Sequence, residues 1–347
     1  MRCSLLLAAG ILFELSLAPP MARAAEPQPG RIAARIKPGG EGGWDYLTMD
    51  PDARRLYVAH STKVQVVDVD AGKVVGEIVN TPGVHGVALD PELGRGFTSN
   101  GRDSSVTVFD LHSLAVLSRI HIAEGAPDAI VYDPASKRVF TLNHGSGTAT
   151  AIEAATGNVL GSVAVGGTLE FAVTDGRGTV FVNVEDSSSV AAIDTRSLQV
   201  RSRWSLAPGQ SPTGLAMDLE HRRLFAGCHN QQLIVLDADS GRVVTSLPIG
   251  SGTDGTAFDP STGLAFSSNG EGTLTVIHED SPGKFTVRGT VVTQRGARTL
   301  AVDSKTHRVY LATAEFGPAP APTAENPHPR PALAPGSFQI LVVEPSP

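Results

Sequence analysis

The sequence predicts an all-β fold: a seven-bladed β-propeller with four antiparallel strands per blade, its ring closed by the N-terminal strand. Three observations lead there. An apolar stretch ending in Asp, mostly followed by Pro or Gly, recurs at Asp50, Asp90, Asp133, Asp175, Asp218, Asp259 and Asp303, with spacings of 40, 43, 42, 43, 41 and 44 residues. No segment of the repeat region carries a helical period. The 37 Gly and 24 Pro suit many tight turns. A period near 40 residues built from strands and turns is the signature of propeller blades.

Each repeat reads in the same order. An apolar strand such as Gly86-Val87-Ala88-Leu89 leads into the anchor Asp. Asp caps its own backbone and Pro presets the turn dihedral, so Asp-Pro closes a tight turn. A second strand follows, as in Arg55-Leu56-Tyr57-Val58 or Arg138-Val139-Phe140-Thr141. The third alternates, as in Val106-Thr107-Val108-Phe109-Asp110, and a turn such as Asp70-Ala71-Gly72-Lys73 leads to the outer strand. Two residues before the anchor the side chain is small in most copies (Thr48, Ala88, Ala216, Ala257, Ala301), as crowding of inner strands around an axis requires. The last repeat lacks an outer strand, and Arg31–Lys37 alternates and can supply it, which removes an open edge.

Composition sets further bounds. A chain of 347 residues with 41% hydrophobic and 18% charged residues can bury a large core, which excludes disorder. The formal charge of −7 argues against general nucleic-acid binding through a phosphate-neutralising surface. Residues 1–24 read as a signal peptide: Met1-Arg2, an apolar run Leu5–Leu17 too short to cross a bilayer, and a small-x-small site at Ala22-Arg23-Ala24. Residues 25–347 then form a single exported propeller, placed in the periplasm, with no transmembrane segment. Removing Arg2, Arg23 and Glu14 with the leader takes the charge from −7 to −8. Cys3 leaves too, so Cys228 stands alone and reads either as a small buried hydrophobe or as a reactive thiol.

The segments Val67-Asp68-Val69-Asp70-Ala71-Gly72-Lys73-Val74-Val75 and His307-Arg308-Val309-Tyr310-Leu311-Ala312-Thr313 look like the YVTN-type repeat. Across residues 31–345 the chain resembles the YncE-like family of exported bacterial seven-bladed propellers. The resemblance implies fold and export. It carries over no activity, and the acidic charge argues against transferring the DNA association of some members.

A site in a propeller is expected at one mouth of the central channel. Five residues before each anchor stand Asp45, His85, Asp128, Glu170, Thr213, Asp254 and Arg298, all polar. Ten or eleven residues after it stand His60, Asn100, His144, Cys228, His229 and Asn269, with Glu185 in the fourth repeat and Glu315 further on in the seventh. Any one of these could simply cap a strand end. Together they place several acids, His and an Arg in one funnel, where like charges raise each other's pKa unless a cation compensates. His85, Asp128, Glu170 and Asp254 are candidate ligands for a divalent metal, the one cofactor the pattern points to, although no zinc-motif spacing is present. Arg102, Asp103 and Arg298 could instead hold an anion, and Trp44 could stack on a ring.

Phe316–Ser337 carries seven prolines and is expected to be extended, as a solvated loop or as a lid over the funnel. The leading expectation is a periplasmic propeller that binds a small ligand, a metal or an envelope protein at its polar mouth. One alternative is a metal-dependent lactonase or lyase with Glu170 or His85 as base, on fold analogy alone. The other is an interaction scaffold acting through the Pro-rich arm. No nucleophile elbow, Walker loop, H-E-x-x-H or C-x-x-C-H motif is present.

Overall fold

In the computed structural model, residues 29–321, 323 and 331–346 are described, and they form seven four-stranded antiparallel sheets. The leader expected at residues 1–24 lies outside them. Blade 1 comprises Trp44–Asp50, Arg55–His60, Lys63–Asp68 and Lys73–Val79, from the axis outward. Blades 2 to 6 repeat this order on inner strands Val84–Asp90, Pro127–Asp133, Leu169–Thr174, Pro212–Asp218 and Thr253–Asp259. Among the described residues no helix is long and apolar enough to cross a membrane.

Blade 7 closes the ring. Its first three strands, Leu300–Val302, Val309–Thr313 and Gln339–Pro345, come from the end of the chain, and Gly30–Ile36 pairs outside them with Ile36 opposite Ile340. The expected closing strand thus sits one residue earlier than its sequence reading. Arg31 bridges to Glu344 at 2.8 Å, and Ile36 is buried with Leu47, Leu56 and Ile340 in one cluster, so the first strand also ties blade 7 to blade 1.

The core lies between blades, and one position organises it. Seven residues after the anchor (six in blade 4, whose turn is one residue shorter) stand Tyr57, Phe97, Phe140, Phe181, Phe225, Phe266 and Tyr310, each at most 1% exposed. A ring repeated at the same register in every blade supplies the largest apolar area that a second strand can bury. The anchors cap their turns as expected: Asp50 accepts from the amides of Asp52 and Ala53, and Asp218 from those of Glu220 and His221.

Near the axis, Tyr46 and Phe171 meet edge to face with centroids 4.9 Å apart. Their counterparts in the other blades are Gly86, Ala129, Gly214, Gly255 and Thr299. The two rings therefore fill space that small residues leave open, dividing the channel into a polar funnel and, on the anchor side, an apolar bowl of about 510 Å³ lined by Leu47, Met49, Val131 and Val173.

Two predictions follow from this architecture. Deleting residues 30–36 exposes the edge of Gln339–Pro345 and should lower the melting temperature by roughly 10 °C or more; an unchanged melt would sink the closure account. Phe140→Ala should cost about 3–5 kcal/mol in urea unfolding, as removal of a buried ring does.

Candidate functional site

The funnel encloses about 610 Å³. Its construction starts with a repeated irregularity in the inner strands. The pairing register to the second strand shifts between Trp44 and Leu47, Val84 and Val87, Pro127 and Ile130, Leu169 and Ala172, Pro212 and Leu215, and Thr253 and Gly255. Each shift encloses the residue five before the anchor. A bulge releases that residue from the ladder and re-aims its side chain, and all seven, Asp45, His85, Asp128, Glu170, Thr213, Asp254 and Arg298, line the funnel.

Neighbouring blades then fix the backbone of these residues. Ser99 Oγ donates to the Asp128 carbonyl, Ser268 Oγ donates to that of Arg298, and Thr299 Oγ1 donates to that of Asp45 at 2.9 Å. Asn183 Nδ2 donates to the carbonyls of Thr213 and Gly214, both at 3.0 Å. Side chains held on strands by such bonds form a preorganised site.

The second tier comes from the turn after the second strand, and parity decides which residues take part. His144, Glu185 and His229 point into the funnel. The residue immediately before each of them in blade register points into the blade instead. Asn100 is fully buried, accepting from Thr98 and donating to Ser105 and Thr107, and Asn269 repeats this with Ser267, Thr273 and Thr275. Cys228 is buried against Gly209 and Ile234, its thiol pushed up to about 12 by burial, and so is an inert packing residue. These three expected funnel residues therefore belong to the blades. His60 is likewise buried, stacked on Phe338 with its Nδ1 3.1 Å from Gln65 Oε1.

Other expected residues lie at the rim. Arg102 is exposed beside Gly83, outside the funnel, and Asp103 engages Arg119 and Ser105. The proposed anion grip of Arg102, Asp103 and Arg298 is therefore not assembled. Trp44 packs on Phe316 and Phe338 and lines a side pocket of about 360 Å³ with Arg295, Arg298 and Leu333. The two ends of the Pro-rich segment are pinned to each other. Phe316 bridges Leu333, Gly317 N donates to the Ala332 carbonyl, and Phe316 reaches the funnel with Arg295 5.8 Å above its ring. Residues 322 and 324–330, where a lid would arch over, lie outside the described part.

The electrostatics are those of crowded acids. His85 Nδ1 lies 2.6 Å from Asp45 Oδ2 and 3.4 Å from Asp128 Oδ1. A Cβ at Gly101 would stand 2.7 Å from His85 Nε2, so glycine there makes room for the ring and leaves Nδ1 facing the carboxylates. Burial works against a charged imidazole, but the Asp45 hydrogen bond and the charges of Asp128 and Asp45 outweigh it and raise the His85 pKa. His144 Nδ1 lies 3.2 Å from Glu170 Oε1, Arg298 pairs with Asp254 at 3.0 Å, and His229 faces Glu185 at 3.9 Å.

Even so the acids remain undercompensated. Burial, with Asp128 and Asp254 nearby, pushes Glu170 up to about 9. Burial raises Asp254 to about 7 against the opposing pull of Arg298, and burial raises Asp128 despite His85. The charged form of Glu170 is therefore disfavoured in the empty funnel, and a cation bound nearby would restore it.

Of the four candidate metal ligands, the structure brings His85 and Asp128 together with Asp45 rather than with Glu170 and Asp254. One atom from each of Asp45, His85 and Asp128 falls within 4.8 Å of the others, close enough to share a cation. Tyr46 forms the floor beneath them. It is 7% exposed, and burial together with four carboxylates raises its pKa. Sequence reasoning missed Tyr46, Arg295 and the role of Phe316. The signal for Tyr46 was present: an aromatic at a position otherwise mostly small.

Comparison with known proteins fits the fold. A family profile described as outer membrane protein assembly factor BamB matches residues 102–325. Curated proteins yield no match. The solved structure described as "Structure of U3-55K" superposes with a TM-score of 0.74 at 10% identity, over 90% of this chain and 99% of that one. "Crystal structure of RRP9 WD40 repeats" gives 0.75 at 10% identity, over 91% and 99%. At such identity the likeness is one of fold.

The raised carboxylate makes a pH prediction with a definite sign. Glu170 goes from its ordinary 4.5 when unfolded to about 9 when folded, so its stabilising contribution is complete below 4.5 and lost as pH rises toward 9. Glu170→Gln should melt higher than wild type at pH 8 and match it at pH 4; parallel melting curves across that range would contradict the shift.

Proposed function

We propose that this chain, which belongs to the β-propeller family described as outer membrane protein assembly factor BamB, is an exported binding protein whose polar funnel takes a small cationic ligand, with a divalent metal ion held by Asp45, His85 and Asp128. The juxtaposition of those three side chains carries the reading. A cation at His85 Nδ1 would displace the proton that now lies between the two carboxylates, and would relieve the repulsion that raises Asp128, Asp254 and Glu170. Tyr46, on the floor of the funnel, offers a further contact to whatever enters.

The leader-like residues 1–24 support export, and the family's printed description supports a place in the bacterial envelope. The YVTN-type segments further align the chain with the YncE-like exported propellers. Binding is the reading adopted because the cation-sized grouping of Asp45, His85 and Asp128 calls for a ligand and no nucleophile motif accompanies it.

A scaffold role is the second reading, and an observation favours it. On the outer strands of blades 1, 2 and 3, Val75, Val79, Val116, Leu117, Val159 and Leu160 are 42–51% exposed, an apolar band on three consecutive blades. Such bands mark partner surfaces.

Elemental mass spectrometry of chelator-free protein should find metal that Asp45→Asn/Asp128→Asn loses, with calorimetric affinity for zinc or manganese falling at least tenfold. Metal retained in full by that variant would sink the funnel reading. The scaffold reading instead requires Val116→Lys/Leu160→Lys to lose a co-purifying envelope protein while metal content is unchanged.

A further inference from the structure

The opposite face carries a second cluster, and the repeat shows what is unusual about it. Four residues after each anchor (three in blade 4) the backbone turns left-handed, with φ between 55° and 108°, at Arg54, Gly94, Lys137, Gly178, Arg222, Gly263 and His307. Where that residue is Arg54, Arg222 or His307, its side chain crosses to the anchor of the preceding blade. Arg54 Nη1 reaches Asp303 at 2.7 Å, Arg222 Nη2 reaches Asp175 at 3.5 Å, and His307 Nδ1 reaches Asp259 at 2.8 Å. At three of the seven junctions, then, a side-chain cation on a buried anchor carboxylate fastens one blade to the next.

Blade 6 holds Gly263 at this turn, a glycine as in blades 2 and 4, so no side chain is offered there to Asp218 of blade 5. In addition a second carboxylate is placed there. Glu279 follows the last residue of the third strand that pairs with the second, a position held by Val69, Leu111, Ala154, Thr195 and Ala238 in blades 1 to 5. A Cβ on Gly263 would stand 3.5 Å from the Glu279 carbonyl, so the two substitutions adjoin.

The Glu279 side chain is 4% exposed, and neither carboxylate oxygen has a hydrogen-bond partner. Arg223, the nearest side-chain cation besides His221, is turned to Asp237 at 2.7 Å. Its counterparts Arg55, Arg95 and Arg138 instead reach carbonyls of the following blade. His221 completes the group: its Nδ1 lies 2.7 Å from Asp218 Oδ2 and 3.7 Å from Glu279 Oε1.

We propose that Asp218, His221 and Glu279 form a divalent-cation site that fastens blade 5 to blade 6 in the role played elsewhere by an arginine or histidine side chain. One atom from each lies within 4.8 Å of the others. A cation there answers the unpartnered buried carboxylate, which is costly to leave uncompensated. One imidazole nitrogen with two carboxylate oxygens suits zinc or manganese better than calcium or magnesium, which prefer all-oxygen sets. The ion enters past His221, which is 37% exposed, and displaces its Nδ1 proton to solvent.

The test uses the full mature chain, stripped with chelator and titrated with zinc chloride, with bound equivalents read by calorimetry and stability by thermal melting. Zinc should raise the wild-type melting temperature by several degrees. Glu279→Ala, which installs the residue found in blades 3 and 5, and His221→Ala should each lose that rise and one equivalent, with affinity at this site down at least tenfold. Metal-free Glu279→Ala should melt no lower than metal-free wild type, because an unpartnered buried carboxylate has gone. Asp45→Asn/Asp128→Asn in the funnel should keep the zinc-dependent rise, so the two sites fail separately. Wild-type zinc binding by Glu279→Ala and His221→Ala, or loss of all zinc in the funnel variant, would overturn the proposal. If Glu279→Ala does not fold, His221→Ala, at a partly exposed side chain, decides the matter by the same readouts.

Discussion

Seven strands crowding one axis is the constraint from which the rest of the molecule follows. Inner strands that converge must carry small side chains where they come closest, and Thr48, Ala88, Ala216, Ala257 and Ala301 meet that need. They must also leave regular pairing where the channel widens, and the repeated bulge does so. The bulge is what converts a strand end into a binding position. Six side chains otherwise bound to alternate between blade faces are swung toward a common space, joined by Arg298 from just before its strand, while Ser99, Ser268, Thr299 and Asn183 clamp carbonyls behind them. The funnel's geometry is a by-product of closing the ring.

Charge is handled differently on the two faces. At the base, acids sit in the repeat for structural reasons, capping turns, and Asp175, Asp259 and Asp303 are neutralised by side chains from neighbouring blades. At the funnel, acids stand where no turn needs them, and histidines and Arg298 offset only part of their repulsion. Turn-capping acids spaced around the base, three of them neutralised across blades, thus differ from the acids crowded at one mouth. Asp218 and Glu279 fall between these cases. An anchor inherited from the repeat acquires a second acid at a position that four other blades keep apolar and a fifth fills with Thr195.

Much of this was legible in the sequence because a repeat multiplies weak signals. One Asp-anchored turn says little, but seven at near-constant spacing located every blade, the closing strand and the seven funnel positions five residues before each anchor. What escaped did so for physical reasons. Asn100, Asn269 and Cys228 are one residue away from His144 and His229 in blade register, and in a strand one residue separates an interior side chain from a channel side chain. Counting from the anchor gave their position along the strand but not their face. Tyr46 escaped because its position is defined by what six other blades hold there, and the buried aromatic of each second strand likewise becomes visible only when the blades are aligned. Arg295 and Phe316 come from the irregular last repeat, where counting has no period to follow.

The Tyr46–Phe171 contact has a kinetic consequence. With the axis stoppered by two rings, the molecule is a cup and not a pipe, so whatever occupies the funnel must arrive and depart through a single opening. Arrival and release cannot then be tuned at separate ends. Any protein or chain segment that settles over that rim slows both together, turning a readily exchanging site into a retentive one without altering a single contact inside it.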